Sequence, residues 1–289
     1  MNIAKIVFDQ AETHPDAVKE MLLELSERGE KVSEILDFVK ELEKRKITVP
    51  NVQKEKIFDV CGTGGSGKKR INLSTILAIK LSKKFKIAKH GNKAASGRVG
   101  SFDLIEYAGF TVCDTPEKVQ KKLKEKNLAF VFAPAFHPTL KILAPIRKMI
   151  PNATIFNFLG PLLNPVENLT AQMVGVPSVS IGEKLSEVSK YLGKNILFVH
   201  DNFFSLDDVS IGGETIFWEV QNEKITMGKF FPEDFGLKRI TDFKKISGGD
   251  SVARNFEIFS ELMSEKAPQS HLDFLEINKK VATNFFEKF

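Results

Sequence analysis

The sequence has little cysteine and no long uncharged apolar run. Its 289 residues include two cysteines, Cys61 and Cys113, which lie far apart and without the spacing of metal ligands. A disulfide framework and a zinc site are therefore disfavoured. The first residues contain no apolar stretch that would serve as a signal peptide, and no later run approaches the roughly 18 uncharged residues of a membrane span. We expect a cytoplasmic protein with reduced thiols.

The charge balance is basic. The formal net charge is +5 and the pI is about 9.0, while 42% of the residues are hydrophobic and 27% are charged. This balance is ordinary for a globular protein and fits an anionic partner, either a phosphorylated metabolite or nucleic acid. Lysine runs such as KKLKEKN are usually solvated helix faces, so charge alone does not choose between these partners.

Apolar spacing divides the chain into a helical beginning and an alternating remainder. Two amphipathic helices are predicted between residues 15 and 45, which places a small helical domain in residues 1–50. From residue 55 to 289, short apolar runs alternate with segments of helical spacing. Strands are predicted at KIFDVCG, KIAKHG, Phe110–Cys113, LAFVFAP, AQMVGV and NILFVH. Helices are predicted at INLSTILAIKLSKKF and SFDLIEYAG, in the segment that starts at Pro116, and at residues 137–150. The final predicted helix covers residues 251–265. The predicted class is α/β with a mostly parallel sheet, and the helical unit is expected to pack against it.

A glycine-rich segment, GTGGSGK at residues 62–68, lies between the first predicted strand and helix. Backbone N–H groups and a helix N-terminus at such a place hold phosphate oxygens, so we expect an anion site. A dinucleotide site is disfavoured because the next strand ends in Lys89-His90 and not in an acidic residue. ATP hydrolysis is disfavoured because Lys69 stands where a P-loop has Ser or Thr. A glycine turn without a ligand remains the alternative.

Further motifs follow the loop in order. They are NLST at 72–75, KHGN at 89–92, SFD at 101–103, APAFHP at 133–138 and FNFLGPLLNP at 156–165. Each is weak alone, but the series from about residue 59 to 176 resembles anthranilate phosphoribosyltransferase. The resemblance implies a helical domain completed by helices near 140–165, a large α/β domain with the active site between them, and a homodimer formed through the helical domain. It also implies transfer of the phosphoribosyl group from phosphoribosyl pyrophosphate to anthranilate in tryptophan biosynthesis. The implied cofactor is Mg²⁺, with two ions in each active site.

The resemblance also implies residue roles. Catalytic roles fall on Lys89, Asn92 and Arg147. Contacts to phosphoribosyl pyrophosphate fall on Gly62, Thr63, Gly64, Gly65, Ser66, Asn72, Ser74, Thr75, Lys89, Gly91, Ser96 and Ser101. Contacts to anthranilate fall on Gly62, His90, Asn92, His137, Arg147, Gly160 and Pro161, and metal ligation falls on Ser74, Asp207 and Asp208.

The chemistry of these residue types fits the roles, but each has a structural alternative. The guanidinium of Arg147 suits a carboxylate, and adjacent carboxylates at 207 and 208 need a cation between them. One of the polar residues at 72–75 could simply cap a helix. The Lys89-His90 pair could be surface decoration, Asp207-Asp208 an exposed loop, and His137 a structural histidine.

Four positions depart from the family pattern. Ser66 and Arg70 stand where Asp and Thr are common, Lys93 where Arg follows the asparagine, and Asp208 where Glu is expected. We expect altered donor affinity or metal dependence, with anthranilate recognition retained. Two other functions remain open: a pyrimidine-nucleoside phosphorylase, against which Arg147 and GPLLNP argue, and a non-catalytic nucleic-acid binder, which would show a continuous basic groove.

Overall fold

The computed structural model describes residues 2–64, 68–93 and 101–289. The chain begins with three helices, α1 Ile3–Gln10, α2 Pro15–Arg28 and α3 Val32–Arg45. The two helices expected between residues 15 and 45 are confirmed, and α1 is an addition to them. The rings of Phe8, Phe38 and Phe156 meet edge to face, with centroids 5.5 to 6.2 Å apart. This aromatic cluster joins α1 and α3 to a segment more than a hundred residues later in the chain.

Within the described residues, eight strands form one sheet in the order β3-β4-β2-β1-β5-β6-β7-β8. Their bounds are β1 Ile57–Gly62, β2 Lys86–Gly91, β3 Val112–Cys113, β4 Leu128–Phe132, β5 Ala171–Gly175, β6 Ile196–Asp201, β7 Thr215–Gln221 and β8 Lys224–Phe230. The first six strands pair in parallel, and β7 and β8 add an antiparallel hairpin at one edge. The predicted α/β class with a mostly parallel sheet is confirmed.

Helices cover both faces of the sheet. The later ones are α4 Leu73–Leu81, α5 Ser101–Tyr107, α6 Pro116–Lys126, α7 Ala133–Phe136, α8 Pro138–Lys148, α9 Val179–Tyr191, α10 Val252–Met263 and α11 Gln269–Phe286. Short 3₁₀ turns lie at Ile155–Asn157, Gly160–Leu163, Pro232–Phe235 and Phe243–Ile246. The expectation that the helix at 251–265 is the last one is wrong, because α11 follows it and is longer. No helix within the described ranges has the length and apolar content needed to span a bilayer.

The first three helices share a core with the sheet. Phe38 and Leu42 of α3 belong to the same buried apolar cluster as Phe198 of β6 and Trp218 of β7. Leu143 of α8 joins this cluster from the segment that follows β4. The helical part is therefore packed against the sheet, as expected. Its division from residues 55–289 as a separate domain stays a proposal, supported by the contacts of α8 with α2 and α3.

The parallel strands bring their carboxyl ends to one edge of the sheet. Gly62 at the end of β1 is in register with Gly175 at the end of β5, and Gly91 at the end of β2 with Phe132 at the end of β4. Ligands of open α/β sheets bind at this edge. The candidate residues carried by these strand ends therefore converge on one region.

Candidate active site

The glycine loop after β1 is built against the segment that follows β6. A Cβ on Gly62 would lie 2.5 Å from Asp207 Oδ2, and one on Gly175 would lie 1.7 Å from the Asp207 carbonyl oxygen, so a side chain fits at neither position. The Thr63 amide donates to Gly175 O at 3.0 Å, and the Gly64 amide donates to Asp207 Oδ2 at 2.8 Å. Two of the amides expected to hold pyrophosphate are thus bonded within the protein. Gly65 and Ser66 lie outside the described residues.

The Asp207-Asp208 pair is buried and binds an arginine. The Arg70 guanidinium donates to Asp207 Oδ1 at 2.7 Å, and its Nε lies 2.6 Å from Asp208 Oδ2. Relative exposure is 1% for Asp207 and 6% for Asp208, so the alternative of exposed loop aspartates is wrong. The sequence identifies Arg70 as a departure from the family pattern, but it does not predict this contact.

The two carboxyl groups differ in acidity. Burial opposes the ionisation of Asp207, but the Arg70 charge and the Gly64 amide outweigh it and lower its pKa. For Asp208, burial is the dominant cause and raises the pKa to about 8, because Arg70 offsets it only in part and Asp207 adds repulsion. The Arg70 guanidinium thus compensates mainly the Asp207 carboxylate.

The acidic pair as arranged does not fit a resident metal ion. Arg70 contacts both carboxyl groups, and the third expected ligand, Ser74 Oγ, accepts a hydrogen bond from Lys89 Nζ at 3.1 Å. In the described part of the chain, no group of three or more His, Cys, Asp or Glu residues could hold a metal. Magnesium in phosphate sites is usually held by few protein ligands together with the substrate. Ser74 keeps a free lone pair for such an ion, whereas the acidic pair already has a cation.

Lys89 is a buried cation at the end of β2. Its relative exposure is 2%, so the alternative of surface decoration is wrong. Besides the bond to Ser74, its Nζ donates to Val60 O at 3.0 Å. Burial lowers the pKa of Lys89, and the negative charge of Asp59 works against this change. The ammonium group is thus fixed between β1 and the first turn of α4.

Asp59 is the residue of this region that sequence reasoning missed. It is fully buried in β1 and accepts hydrogen bonds from the His90 amide at 3.3 Å, Asn164 Nδ2 at 2.9 Å and Gln172 Nε2 at 3.3 Å. These bonds tie β1 to β2, to the GPLLNP segment and to β5. A charged residue inside the apolar run KIFDVCG is the signal that could have revealed it, because buried carboxylates need several partners.

The first turn of α4 carries polar groups that do not cap the helix. Asn72 stands at the N-cap position, but its side chain makes no capping bond. Thr75 is buried, and its hydroxyl, like that of Thr63, has no hydrogen-bond partner within the described ranges. Capping alone does not account for Asn72. Asn72, Ser74 and Thr75 lie at the helix N-terminus, which favours anions.

Two histidines lie next to each other on the other side of the region. The rings of His90 and His137 are 5.5 Å apart at 65°. His137 Nε2 lies 2.8 Å from Leu163 O and donates to it, which fixes the neutral tautomer. Burial lowers the pKa of His137 to about 4 and that of His90 well below its ordinary value. Both rings are therefore neutral at pH 7, and His137 has a structural bond whatever else it contacts.

Arg147 differs from every other candidate cation. It lies in the last turn of α8, half-buried, with its guanidinium carbon 5.3 Å from the centre of the Phe156 ring. Burial alone lowers its pKa, with no carboxylate in the described part of the chain acting against it. A half-buried guanidinium without an anion is unusual, because such charges are normally paired. It is a ready partner for an external carboxylate.

The remaining candidates lie around these groups. Asn92 is exposed after β2, and its Oδ1 accepts from the Lys93 amide at 2.7 Å. Ser101, at the start of α5, has its Oγ 3.6 Å from where a Cβ on Gly91 would stand. Gly160 and Pro161 begin the 3₁₀ turn whose Leu163 carbonyl meets His137. Ser96 lies outside the described residues.

A cavity lies at the opposite edge of the sheet from these candidate residues. Its volume is about 630 Å³, and the residues before β5 and β6 line it together with Glu43, Lys46 and Lys194. Both lysines are ion-paired with Glu43. We place the active site at the carboxyl edge, because the strand ends there carry Gly62, Lys89 and Gly91.

Known proteins share this sequence and architecture. Residues 54–287 match the family described as glycosyl transferase family, a/b domain. The anthranilate phosphoribosyltransferase of Dictyoglomus turgidum is 39% identical over 264 residues, which cover 91% of this chain and 77% of that protein. This chain belongs to the anthranilate phosphoribosyltransferase family.

Solved structures of anthranilate phosphoribosyltransferases agree with that membership. The crystal structure of the enzyme from Thermus thermophilus is 30% identical, with a TM-score of 0.88, over 99% of this chain and 85% of its own. The enzyme from Saccharomyces cerevisiae, solved in complex with PRPP and Mg, is 24% identical to this chain, with a TM-score of 0.85. The match covers 99% of this chain and 82% of the yeast chain, and at this identity it supports the fold alone. The resemblance inferred from the motifs is therefore confirmed.

Proposed function

We propose that this chain transfers the phosphoribosyl group of phosphoribosyl pyrophosphate to the amine of anthranilate. The products are N-(5-phosphoribosyl)anthranilate and pyrophosphate, a step of tryptophan biosynthesis. The observation that carries the acceptor is Arg147, a half-buried guanidinium stacked on Phe156 with no internal carboxylate in the described part of the chain. The identity to the Dictyoglomus turgidum anthranilate phosphoribosyltransferase supports the same reaction.

The donor binds, in this proposal, between the glycine loop and the first turn of α4. Lys89 supplies a fixed positive charge there. The hydroxyls of Thr63 and Thr75, which have no partner among the described residues, supply hydrogen-bond donors. Asn72, Ser74, Gly91 and Ser101 complete the donor contacts inherited from the family pattern. Gly65, Ser66 and Ser96 stay predictions, since they lie outside the described residues.

The acceptor binds on the side of the histidines. Arg147 pairs with the anthranilate carboxylate, because its planar fork matches two oxygens. His90 and His137 are neutral at pH 7, so they offer shape and hydrogen bonds rather than charge. Gly160 and Pro161 border this side, and the exposed Asn92 lies at the strand end between donor and acceptor.

The mechanism needs charge compensation more than it needs a base. The aromatic amine is neutral at pH 7, and pyrophosphate is a good leaving group, so the C1–O bond breaks as negative charge grows on the diphosphate. Lys89 lies where it can meet that charge, and a fixed cation of this kind typically contributes about 10²- to 10³-fold in rate. Ser74 would help to hold a Mg²⁺ ion bound with the donor, and that ion would add positive charge to the compensation. The amine then attacks the oxocarbenium-like carbon and loses its proton to solvent.

Assembly and location follow from the family pattern. We place the reaction in the cytoplasm, where phosphorylated metabolites are retained, and we propose a homodimer formed through the helical part. Multi-angle light scattering would measure the mass, and a monomer at micromolar concentration would rule the dimer out. The number of Mg²⁺ ions, two by resemblance, stays a prediction that the contacts of Arg70 call into question.

The reaction can be tested by the loss of anthranilate fluorescence in the presence of phosphoribosyl pyrophosphate and Mg²⁺. Arg147→Ala should raise the KM for anthranilate roughly 10- to 100-fold, since a charge-assisted hydrogen bond contributes about 1.5–3 kcal/mol. Arg239→Ala is the matched control, because Arg239 also stacks on a ring, Phe231 at 5.3 Å, but is paired with Glu233. No consumption of anthranilate by folded parent protein would refute the transferase and redirect attention to nucleic-acid binding.

A further inference from the structure

Arg70 occupies a position where the family pattern commonly has threonine. We propose that its guanidinium replaces a divalent cation at the Asp207-Asp208 pair, so that the chain binds a single Mg²⁺ per site, the ion that arrives with the donor. The identity of that donor rests on the proposed function. The replacement itself rests on contacts within the chain, and it departs from the two ions that the resemblance implies.

The geometry leaves little room for a metal at the pair. Asp207 uses one oxygen for Arg70 at 2.7 Å and the other for the Gly64 amide at 2.8 Å. Asp208 has an oxygen 2.6 Å from Arg70 Nε. A Cβ on Gly175 would lie only 1.7 Å from the Asp207 carbonyl oxygen, so the backbone of Asp207 rests directly on β5 and cannot withdraw. A metal would therefore have to displace Arg70 to reach Asp207 Oδ1 or Asp208 Oδ2, the two oxygens that face the guanidinium.

Arg70 is also held by its own backbone. It forms an isolated antiparallel bridge with Ser247, and the Gly248 amide donates to Lys69 O at 3.1 Å. A Cβ on Gly248 would lie 2.4 Å from Arg70 O, so the two segments touch at the main chain. The guanidinium is thus carried on a docked segment, and its side chain is only 15% exposed. Displacing it would leave a charged side chain without its partners.

Charge chemistry explains why one cation can stand in for another. Adjacent buried carboxylates repel each other unless a cation joins them. Arginine is permanently charged, and its paired N–H donors match carboxylate oxygens. Threonine at the same position would bring no positive charge. A chain with arginine at this position therefore needs no metal ion to reduce the repulsion between the two carboxyl groups in the folded state.

Metal counting tests the proposal directly. Binding of Mn²⁺ would be followed by the electron paramagnetic resonance of the free ion, with and without phosphoribosyl pyrophosphate. We expect the parent to take up one Mn²⁺ per chain only when the donor is present. Arg70→Thr should take up a further Mn²⁺ without donor, with affinity greater than the parent's by roughly tenfold or more, the scale on which residues around metal ligands act. Adding Asp207→Asn and Asp208→Asn should abolish that extra ion.

Lys69→Thr is the matched control. It removes the same charge from the neighbouring residue, but the exposed Lys69 pairs with Asp250 and not with the acidic pair. Its Mn²⁺ binding should equal that of the parent, and gain of an ion by this variant would show a general charge effect and overturn the proposal. A thermal shift gives a second readout, since Mn²⁺ should raise the melting temperature of Arg70→Thr and leave the parent unchanged.

The parent decides the matter even if Arg70→Thr does not fold. Uptake of two Mn²⁺ per chain by the parent with donor, or of one without donor, would overturn the replacement of the metal by Arg70. Failure of the proposed function has a different signature, which is a parent that consumes no anthranilate. The measurements on metal alone keep their meaning in that case, because they involve neither substrate.

Discussion

Two arginines of the candidate site stand in opposite electrostatic states. Arg70, on the proposed donor side, contacts two buried carboxyl groups and is fixed by a backbone bridge. Arg147, which we propose for the acceptor side, stacks on Phe156 and pairs with no carboxylate in the described part of the chain. The same residue type therefore serves the fold in one place and is left free for a ligand in the other.

The difference indicates where each half of the site obtains its charge balance. Under the proposed function, Arg70 compensates carboxylates of the protein itself, so an incoming diphosphate would rely on Lys89, on hydroxyl groups and on the metal it carries. Arg147 has no carboxylate partner among the described residues, so the acceptor would supply the anion. Removal of the first arginine should damage stability, and removal of the second should damage binding.

The largest effect is expected from Arg70→Ala. It leaves the ionised Asp207 buried without a cation, and breaking a buried pair in this way typically costs about 3–5 kcal/mol in the free energy of unfolding. Urea unfolding with a chelator present would measure it. In a protein that already carries Asp207→Asn, Arg70→Ala should lower the free energy of unfolding much less. The difference between the two backgrounds is the coupling energy of Arg70 and Asp207, which we expect to be large. Equal costs in both backgrounds would show that Arg70 acts through something other than this pair.

The next effect concerns the buried cation of the donor side. Lys89→Met keeps the volume and removes the charge, so kcat/KM for phosphoribosyl pyrophosphate should fall by about 10²- to 10³-fold. The KM for anthranilate should change little, since Arg147 and the histidines are untouched. Lys86→Met on the same strand is the control, because Lys86 pairs with the surface residue Glu55. A comparable loss in the control would mean that the strand, and not the charge, had been disturbed.

Local sequence signals predicted much of the scaffold. The strand at KIFDVCG and the helix that follows the glycine-rich segment appear where the spacing placed them, because periodicity is a local property. The β7-β8 hairpin was missed, although its turn residues Asn222 and Glu223 both adopt positive φ, a conformation that asparagine favours more than most residues. The 18-residue α11 was missed as well, although Phe274, Leu275 and Asn278 of one face are buried.

Long-range contacts were beyond sequence reasoning. Arg70 and Asp207 are separated by 137 positions, and nothing in either neighbourhood indicates that they meet. The same holds for His137, whose Nε2 lies 2.8 Å from Leu163 O, 26 positions later in the chain. Such pairings depend on strand order, which local spacing does not specify. Fold class and strand-end chemistry were therefore predictable, and the charge partners of the site were not.

A smaller effect should appear on acidification. His137 faces His90, Lys46, Glu43 and Lys194, and its pKa falls from 6.5 to about 4 on folding, chiefly through burial. As the pH falls, His137 of the unfolded chain binds a proton before His137 of the folded chain does, so the folded state loses stability between about pH 6.5 and pH 4. At about 1.4 kcal/mol per pKa unit, the loss reaches about 3 kcal/mol in the free energy of unfolding. His137→Gln, whose amide can still donate to Leu163 O, should flatten this part of the profile of unfolding free energy against pH.

The smallest effect on stability is expected from Arg147→Ala, and this sharpens the contrast with Arg70. The variant loses stacking on Phe156, about 0.5–1 kcal/mol, but it also relieves the burial of an unpaired charge. We expect the free energy of unfolding to change by less than about 1 kcal/mol while the KM for anthranilate rises. Arg45→Ala is a useful comparison in the same helical part, because Arg45 stacks on Phe8 and also pairs with Asp9 and Glu41, so its removal should destabilise more. If Arg147→Ala destabilised the protein as much as Arg70→Ala, Arg147 would be a structural residue and the acceptor site would have to be sought elsewhere.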